Sequence, residues 1–587
     1  MQSAETVLGV LRERGRRGLP CNELYRQLFN PQMYELAYGR IRANKGAMTA
    51  GADGETADGM SLGKIDKIIG AVRHERYRFQ PARRVYIPKK NSGKKRPLGL
   101  PSWSDKLVGE VVRLLLEAFY EPTFSDKSHG FRPHRGCHTA LTEVAKTWTG
   151  TNWFVESDIS DCFGSFDHKI MLSTLAEKVH DGRFLRLIEQ MLKAGYLEDW
   201  IWNATLSGTP QGGVVSPVLS NIYLHRLDEF VETILIPEHT RGERRARNPV
   251  YDRQSKAARR ASARGDHATA RELRARQRGR PSQDPDDPGY RRLRYIRYAD
   301  DALLGFTGPR SEAVEIRTRL ARFLRDDLKL ELNEDKTLIT HGRTGAASFL
   351  GYEVTVHHSA SRPTVNGHIR LRVPLTVIKG KCAPYLKRGQ PAHRSELLNF
   401  DDHTIIGTYG AEYRGIVQYY LLAGDVWRLG RLQWVAETSM LKTLANKHRS
   451  TVTKMARKYK AKTETVDGKR TCFTASAERP GRKPLVATFG GIPLKRREKA
   501  VVVDRPPAPA TTRREIVTRL RAGRCEWCQQ RASVEVHQVR KLADLTRSGR
   551  PQPEWAQLMA AMSRKTLVVC PSCHQAIHTG SRTTVTG

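Results

Sequence analysis

Three stretches carry metal-ligating or acid–base side chains grouped closely enough to act together. In RRLRYIRYADDALLGFTG (291–308), the adjacent carboxylates Asp300 and Asp301 stand between two apolar, strand-like runs. Neighbouring carboxylates repel each other, and hard cations such as Mg²⁺ relieve that repulsion. The alternative is a solvent-facing hairpin tip. Such tips favour Asn-Gly or Asp-Gly, and no glycine lies between Arg291 and Leu304. In NWFVESDISDCFGSFDH (152–168), Asp158 stands where a strand-like run ends, with Asp161 and Asp167 competing on spacing alone. One carboxylate at a strand end and two at a distant hairpin turn are what two-metal phosphoryl transfer requires, with two Mg²⁺ about 4 Å apart bridged by shared carboxylates. Near the end of the sequence, CEWC (525–528) and CPSCHQAIH (570–578) supply Cys525, Cys528, Cys570 and Cys573. Two C-x₂-C pairs make a closed tetrahedral Zn²⁺ set. His537, with His574 and His578 at helical i, i+4 spacing, can converge on a second metal.

Composition points to the substrate. The 587 residues include 100 Lys and Arg against 61 Asp and Glu, a formal net charge of +39. A surplus that large is the electrostatic footprint of a phosphate-rich partner, nucleic acid above all. An anionic membrane surface competes less well, because no apolar run of about 18 residues appears. The stretch LRERGRRGLP near the start is polar and basic. These features lead us to expect a soluble, non-secreted protein without a membrane partner. Of the nine cysteines, five are scattered and four form the close pairs, which favours metal binding over a disulfide framework.

Hydrophobic pattern indicates the framework around these residues. Residues 1–80 read as mostly helical, a candidate N-terminal extension. Across 81–360, strand-like runs such as RRVYIPKK and NWFVESDIS alternate with helical ones such as SDKLVGEVVRLLLEAFYEP. Within that span lies a basic insertion (236–290). Its residues 241–280 hold 14 Lys and Arg against 4 Asp and Glu, with almost no large apolar side chains. Residues 361–460 read as helical and basic, and 461–515 as a basic region expected to bind DNA, ending in the Pro-rich linker VVVDRPPAPATTRRE. Residues 516–587 hold the Cys and His cluster.

With these motifs together, the sequence resembles reverse transcriptases encoded by bacterial group II introns. The resemblance runs in order through RPLGLPSWSDKLV (96–108), SHGFRPHRGCHTAL (128–141), ESDISDCFGSFDH (156–168), GTPQGGVVSPVLSNIYL (208–224), RYIRYADD (294–301), LELNEDKT (330–337) and FLGY (349–352). It implies a multidomain α+β fold. A right-hand polymerase would have fingers, beginning within residues 1–80, and palm of antiparallel sheet plus helices, followed by a helical thumb (maturase domain X) and a small zinc-bound ββα-type HNH module. It implies that Asp158, Asp300 and Asp301 are the catalytic Mg²⁺ ligands, that Phe163 gates against a ribose 2′-OH, and that Gln211 and Gly212 frame the incoming dNTP. It also implies that Lys89 and Arg96 hold the triphosphate, although PKKNSGKKRP offers five cations. The lesser alternative for Phe163 is an ordinary core residue, and Arg297 is as readily structural as functional. YRGIVQYY (413–420) carries the resemblance into the thumb.

The C-terminal stretch resembles an HNH endonuclease, which implies His537 and His574 as catalytic residues and His537, His574 and His578 as ligands of a divalent metal. One departure stands out. Such modules carry a general-base His after the first ligand, and here Gln538 follows His537; glutamine takes no proton from water. The activity expected is RNA-directed DNA synthesis by an intron-encoded protein that assists splicing of its intron RNA. It would copy that RNA into target DNA by target-primed reverse transcription after HNH-type nicking, in a bacterial-type, nucleoid-associated cytoplasmic setting. The alternatives are a free-standing reverse transcriptase, an RNA-folding cofactor without enzymatic activity, and a zinc-stapled module that binds DNA without cutting it.

Overall fold

The computed structural model describes residues 2–580 except for 89–92, 94, 199–200, 204, 206, 209–212, 279, 285–286, 360–365, 466, 480–481, 503–509, 546–551 and 563. Helix and sheet are mixed throughout, in several packed units.

The span expected to form the palm centres on a four-stranded antiparallel sheet. Its order is Arg292–Tyr298, Asp301–Thr307, Trp153–Asp158, Ile339–His341. The run ALLGFT (302–307) is buried along its whole length because helices cover both faces of the central strand. Beneath it, the helix Trp103–Tyr120 is capped by Ser102, whose hydroxyl accepts from the Asp105 amide, and buries most of its circumference. A helix buried on nearly all sides belongs inside a core, and its buried Arg113 is paired there with Glu110 at 2.6 Å. A second four-stranded sheet lies in the span expected to form the fingers, in the order Lys95–Leu100, Ala82–Pro88, Tyr196–Glu198, Ile201–Asn203. The basic insertion forms a helical hairpin, Pro249–Ala263 and His267–Arg278. Ala258 and Ala270 are the buried residues of these two helices, so the hairpin holds together by small-residue contact and turns its Arg and Lys side chains outward.

The span expected to form the thumb contains the helices Asp402–Tyr419, Gly430–Lys447 and Val452–Tyr459. Its last helix runs directly into a three-stranded antiparallel sheet, Lys460–Thr465, Gly468–Arg479 and Arg482–Gly490, where the sequence pattern predicts a basic region and linker. Phe473, Ala487 and Phe489 are buried in the thumb core, and Phe489 packs 5.2 Å from the Tyr413 ring. Their apolar side chains alternate with polar ones, so the segment reads as basic while one face of it is core. Palm and thumb are joined at the FLGY turn: the Tyr419 hydroxyl donates to Leu350 O at 2.7 Å and the Tyr420 hydroxyl to Gly351 O at 3.0 Å.

The C-terminal unit does not stand apart behind its linker. The helix Ala510–Arg521 lies on the N-terminal helix Pro31–Ile41, with Arg521 bonded to Glu35. Ile516, Leu520, Val534 and Val536 join the same core as Tyr34, Tyr38 and Met60.

Candidate active sites

The palm strands bring the three candidate carboxylates into one cleft. Asp158, the last residue of its strand, pairs directly with Asp301, the first residue of the neighbouring strand. Directly paired residues in an antiparallel ladder have Cβ atoms about 4.5–5.5 Å apart. Asp300 sits in the tight turn beside Ala299, whose backbone is left-handed (φ 56°). Burial, then the charges of Asp300 and Asp158, push the Asp301 carboxyl up to about 7. Burial also raises Asp300, with Asp158 adding to the effect while Arg96 opposes it. Such a set holds negative charge poorly by itself and well around divalent cations. Lys336 Nζ lies 2.7 Å from Asp158 Oδ2 and supplies one fixed positive charge. Lys336 carries no mark of its role in the sequence beyond lying within the LELNEDKT motif. Of the competing acids, Asp167 caps the helix His168–Ala176 by accepting from the Ile170 amide.

Phe163 is half-buried, with its ring edge-on to Phe131 and Phe166 at centroid distances of 6.4 and 6.0 Å. Arg96 lies on the fingers strand opposite Ile87. Lys89, Gln211 and Gly212 fall outside the described residues.

Arg297 has a structural task. Its side chain is fully buried and forms an ion pair with the equally buried Asp228 at 2.6 Å. It also donates to Ala299 O at 2.9 Å, Asn221 Oδ1 at 3.3 Å and Ser128 Oγ at 3.0 Å. Asn221 in turn donates to Gly130 O, and a Cβ on Gly130 would lie 2.4 Å from the Ala299 amide nitrogen. The SHGF, SNIYL and YADD motifs therefore meet behind the catalytic turn, and only glycine at 130 allows that approach.

The C-terminal unit contains two clusters with metal-ligand spacing. Cys525, Cys528, Cys570 and Cys573 converge, and Cys528 Sγ lies 3.8 Å from Cys570 Sγ. Tetrahedral thiolates about 2.3 Å from a zinc ion would stand about 3.8 Å apart. The second cluster joins His537, on the strand Glu535–Gln538, to His574 and His578 on the helix Pro571–Thr579. Burial pulls the His574 imidazolium down, but the carboxylates of Asp58 and Glu535 overcome it and hold the group above its ordinary value. Gln538 is turned away from catalysis: its Nε2 donates to Arg42 O at 2.9 Å, so its side chain fastens the unit to the N-terminal segment. The cluster has a fourth member that sequence reasoning missed, Asp58, which sits in a polar, Gly-rich stretch with no local mark of function.

Comparison with known proteins identifies the family. A family model for reverse transcriptase (RNA-dependent DNA polymerase) matches residues 87–354, one for type II intron maturase matches 369–483, and one for AI2M/AI1M-like HNH endonuclease matches 525–574. The group II intron-encoded protein LtrA of Lactococcus lactis subsp. cremoris is 37% identical over 578 residues, covering 94% of this chain and 95% of the relative. This chain belongs to the group II intron-encoded protein family. It is a reverse transcriptase and maturase with an HNH-like domain. More distant relatives include the 91 kDa protein in the cob intron of Schizosaccharomyces pombe, 32% identical over 95% of this chain and 69% of the relative. Another is the COX1/OXI3 intron 2 protein of Saccharomyces cerevisiae, 31% identical over 94% of this chain and 65% of the relative. The maturase match reaches residue 483 and so includes much of the sheet that packs on the thumb. Among the described residues, no helix is long and apolar enough to cross a membrane.

Proposed function

We propose that Asp158, Asp300 and Asp301 are the Mg²⁺ ligands of the polymerase. The observation that carries this assignment is the direct pairing of Asp158 with Asp301, beside Asp300, in a half-buried cleft. Mg²⁺ held there would assist attack of a primer 3′-hydroxyl on a dNTP and would stabilise the leaving oxygen. The chain's own groups do the rest. Lys336 holds Asp158 in place, and Arg96 is placed to meet the triphosphate, with Lys89 as a second cation. Phe163 closes the sugar side of the pocket, and Gln211 and Gly212 frame the nucleotide. The template is the intron RNA, gripped by the thumb and by the basic surface. The primer is a nicked strand of target DNA. Asp300→Ala is expected to eliminate Mg²⁺-dependent primer extension on an RNA template while RNA binding survives. Extension near the wild-type rate would refute the assignment.

The Cys525, Cys528, Cys570 and Cys573 set is a structural Zn²⁺ site. It organises a unit whose own core is small: Met559, Leu567, Val569 and Ile577 around the thiols. His537, His574 and His578 hold the nuclease metal, which would activate a water for cutting a target phosphodiester. The orphaned ring nitrogens of buried His537 suit a metal ligand. A second reading, DNA binding without cutting, is favoured by the engagement of Gln538 where a base would stand. Nicking of a target duplex that disappears in His574→Ala would decide for the nuclease. The localisation that suits these partners is the nucleoid of a bacterial cell.

A further inference from the structure

We propose that Asp58, carried by the N-terminal segment of the polymerase, is a further ligand of the metal held by His537, His574 and His578. The nuclease site is then composite, completed by the polymerase on which the module docks. The inference rests on the reading of those three histidines as a metal site.

Four features of the geometry carry it. First, the donor atoms have coordination spacing. Asp58 Oδ2 lies 2.8 Å from His578 Nε2 and 3.2 Å from His574 Nε2, the two imidazole nitrogens are 3.2 Å apart, and Asp58 Oδ1 is 3.3 Å from His537 Nδ1. Ligands about 2.0–2.1 Å from one ion stand about 2.9 Å apart at right angles and about 3.4 Å apart at the tetrahedral angle. Second, His537 is 5% exposed, and neither of its ring nitrogens has a hydrogen-bond partner. A buried imidazole that makes no hydrogen bond, with only the Asp58 carboxylate at 3.3 Å and two further imidazoles beside it, is what an ion would satisfy. Third, Glu535 Oε1 lies 2.6 Å from His574 Nδ1, a carboxylate behind a histidine, which fixes the ring with Nε2 facing Asp58.

The fourth feature is that Asp58 is held in place by backbone. The Gln538 amide donates to Asp58 Oδ1 at 2.7 Å. The next residue, Gly59, takes a left-handed backbone (φ 72°) and donates to Val536 O at 2.9 Å. Met60 and Ser61 then add an antiparallel strand to the nuclease hairpin, opposite Val536 and Glu535. A carboxylate delivered by strand addition is a built contact, unlike a chance meeting of surface groups. Its consequence is that the metal is held most tightly only when the module sits on the polymerase, which keeps the cutting site and the DNA-copying site in one assembly.

The test is Co²⁺ binding to the full chain after the thiolates have been loaded with one equivalent of Zn²⁺, read from the visible d–d absorption of a nitrogen- and oxygen-ligated ion. Wild type, Asp58→Asn, Asp58→Glu and His574→Ala are compared, and primer extension on RNA reports that each chain is folded. Asparagine keeps an acceptor for the Gln538 amide, so docking survives the substitution. We expect Asp58→Asn to weaken Co²⁺ binding by at least about tenfold, Asp58→Glu to recover part of the loss, and His574→Ala to bind worst, with extension intact in all. If His574→Ala loses Co²⁺ while Asp58→Asn and Asp58→Glu both bind it like wild type, the composite site is wrong and the histidine site stands. Increased nicking by Asp58→Asn with unchanged Co²⁺ affinity would likewise overturn the inference and make Asp58 a plug. Wild-type Co²⁺ binding by His574→Ala would overturn the metal site itself.

Discussion

Asp301 gives the polymerase a pH signature. Its carboxyl is pushed up to about 7, so below that pH a proton competes with Mg²⁺ for the same oxygens. The Mg²⁺ concentration needed for half-maximal extension should therefore rise as pH falls from about 8 to about 6. Stability of the metal-free chain runs the opposite way. A carboxyl raised above its unfolded value favours the fold below the ordinary carboxylate range and loses that contribution as pH rises through about 7. Mg²⁺ should restore stability at the high end. A Mg²⁺ requirement independent of pH across this window would show that Asp301 is ionised for other reasons. Residue types alone revealed the two Asp at the turn, but the raised pKa of Asp301 depends on burial of the turn first, and then on the charges of Asp300 beside it and Asp158 across the strand.

Among the elements, the YADD hairpin is held from behind by a buried ion pair. Removing one partner of such a pair leaves an uncompensated charge, which costs about 3–5 kcal/mol. Arg297→Met should therefore lower the melting temperature and reduce extension, since Ala299 O loses its anchor in the turn. Arg297→Met combined with Asp228→Leu should recover much of the stability without recovering extension. Equal destabilisation by the single and double substitutions would show that the pair is not the source of the loss. The same logic explains why Arg297 is ambiguous in sequence: it lies in a strand rich in arginine, and its partners come from two other segments, Asp228 and Asn221 from the helix Ser216–Phe230 and Ser128 from the SHGF stretch.

Across the molecule as a whole, the C-terminal unit and the N-terminal helices share a core. Each fully buried Ile, Leu or Val contributes about 1.5–3 kcal/mol, and Ile516, Leu520 and Val536 are buried against the N-terminal region. A chain ending at residue 509 should melt at a lower temperature than the full chain and bind a hydrophobic dye, because the face of Pro31–Ile41 loses its cover. An unchanged melting temperature without dye binding would mean that the two units are energetically independent.

Residue type and local pattern were enough to identify the chemistry-bearing sets and the strands that hold most of them. Asp300 and Asp301, the two C-x₂-C pairs, and His574 with His578 are close along the chain, so type and spacing suffice to place them together. Strands such as Trp153–Asp158 and helices such as Trp103–Tyr120 follow from local apolar pattern. Long-range packing alone dictated that Asp58 meets residues 480 positions away at Gln538, that Gln538 fastens the module to the polymerase, and that residues 460–490 complete the thumb. The reason is physical. A strand pairing or a buried ion pair depends on packing between segments whose separation leaves no period in the sequence, and a lone Asp in a Gly-rich loop looks like a turn residue until the fold brings imidazoles to it.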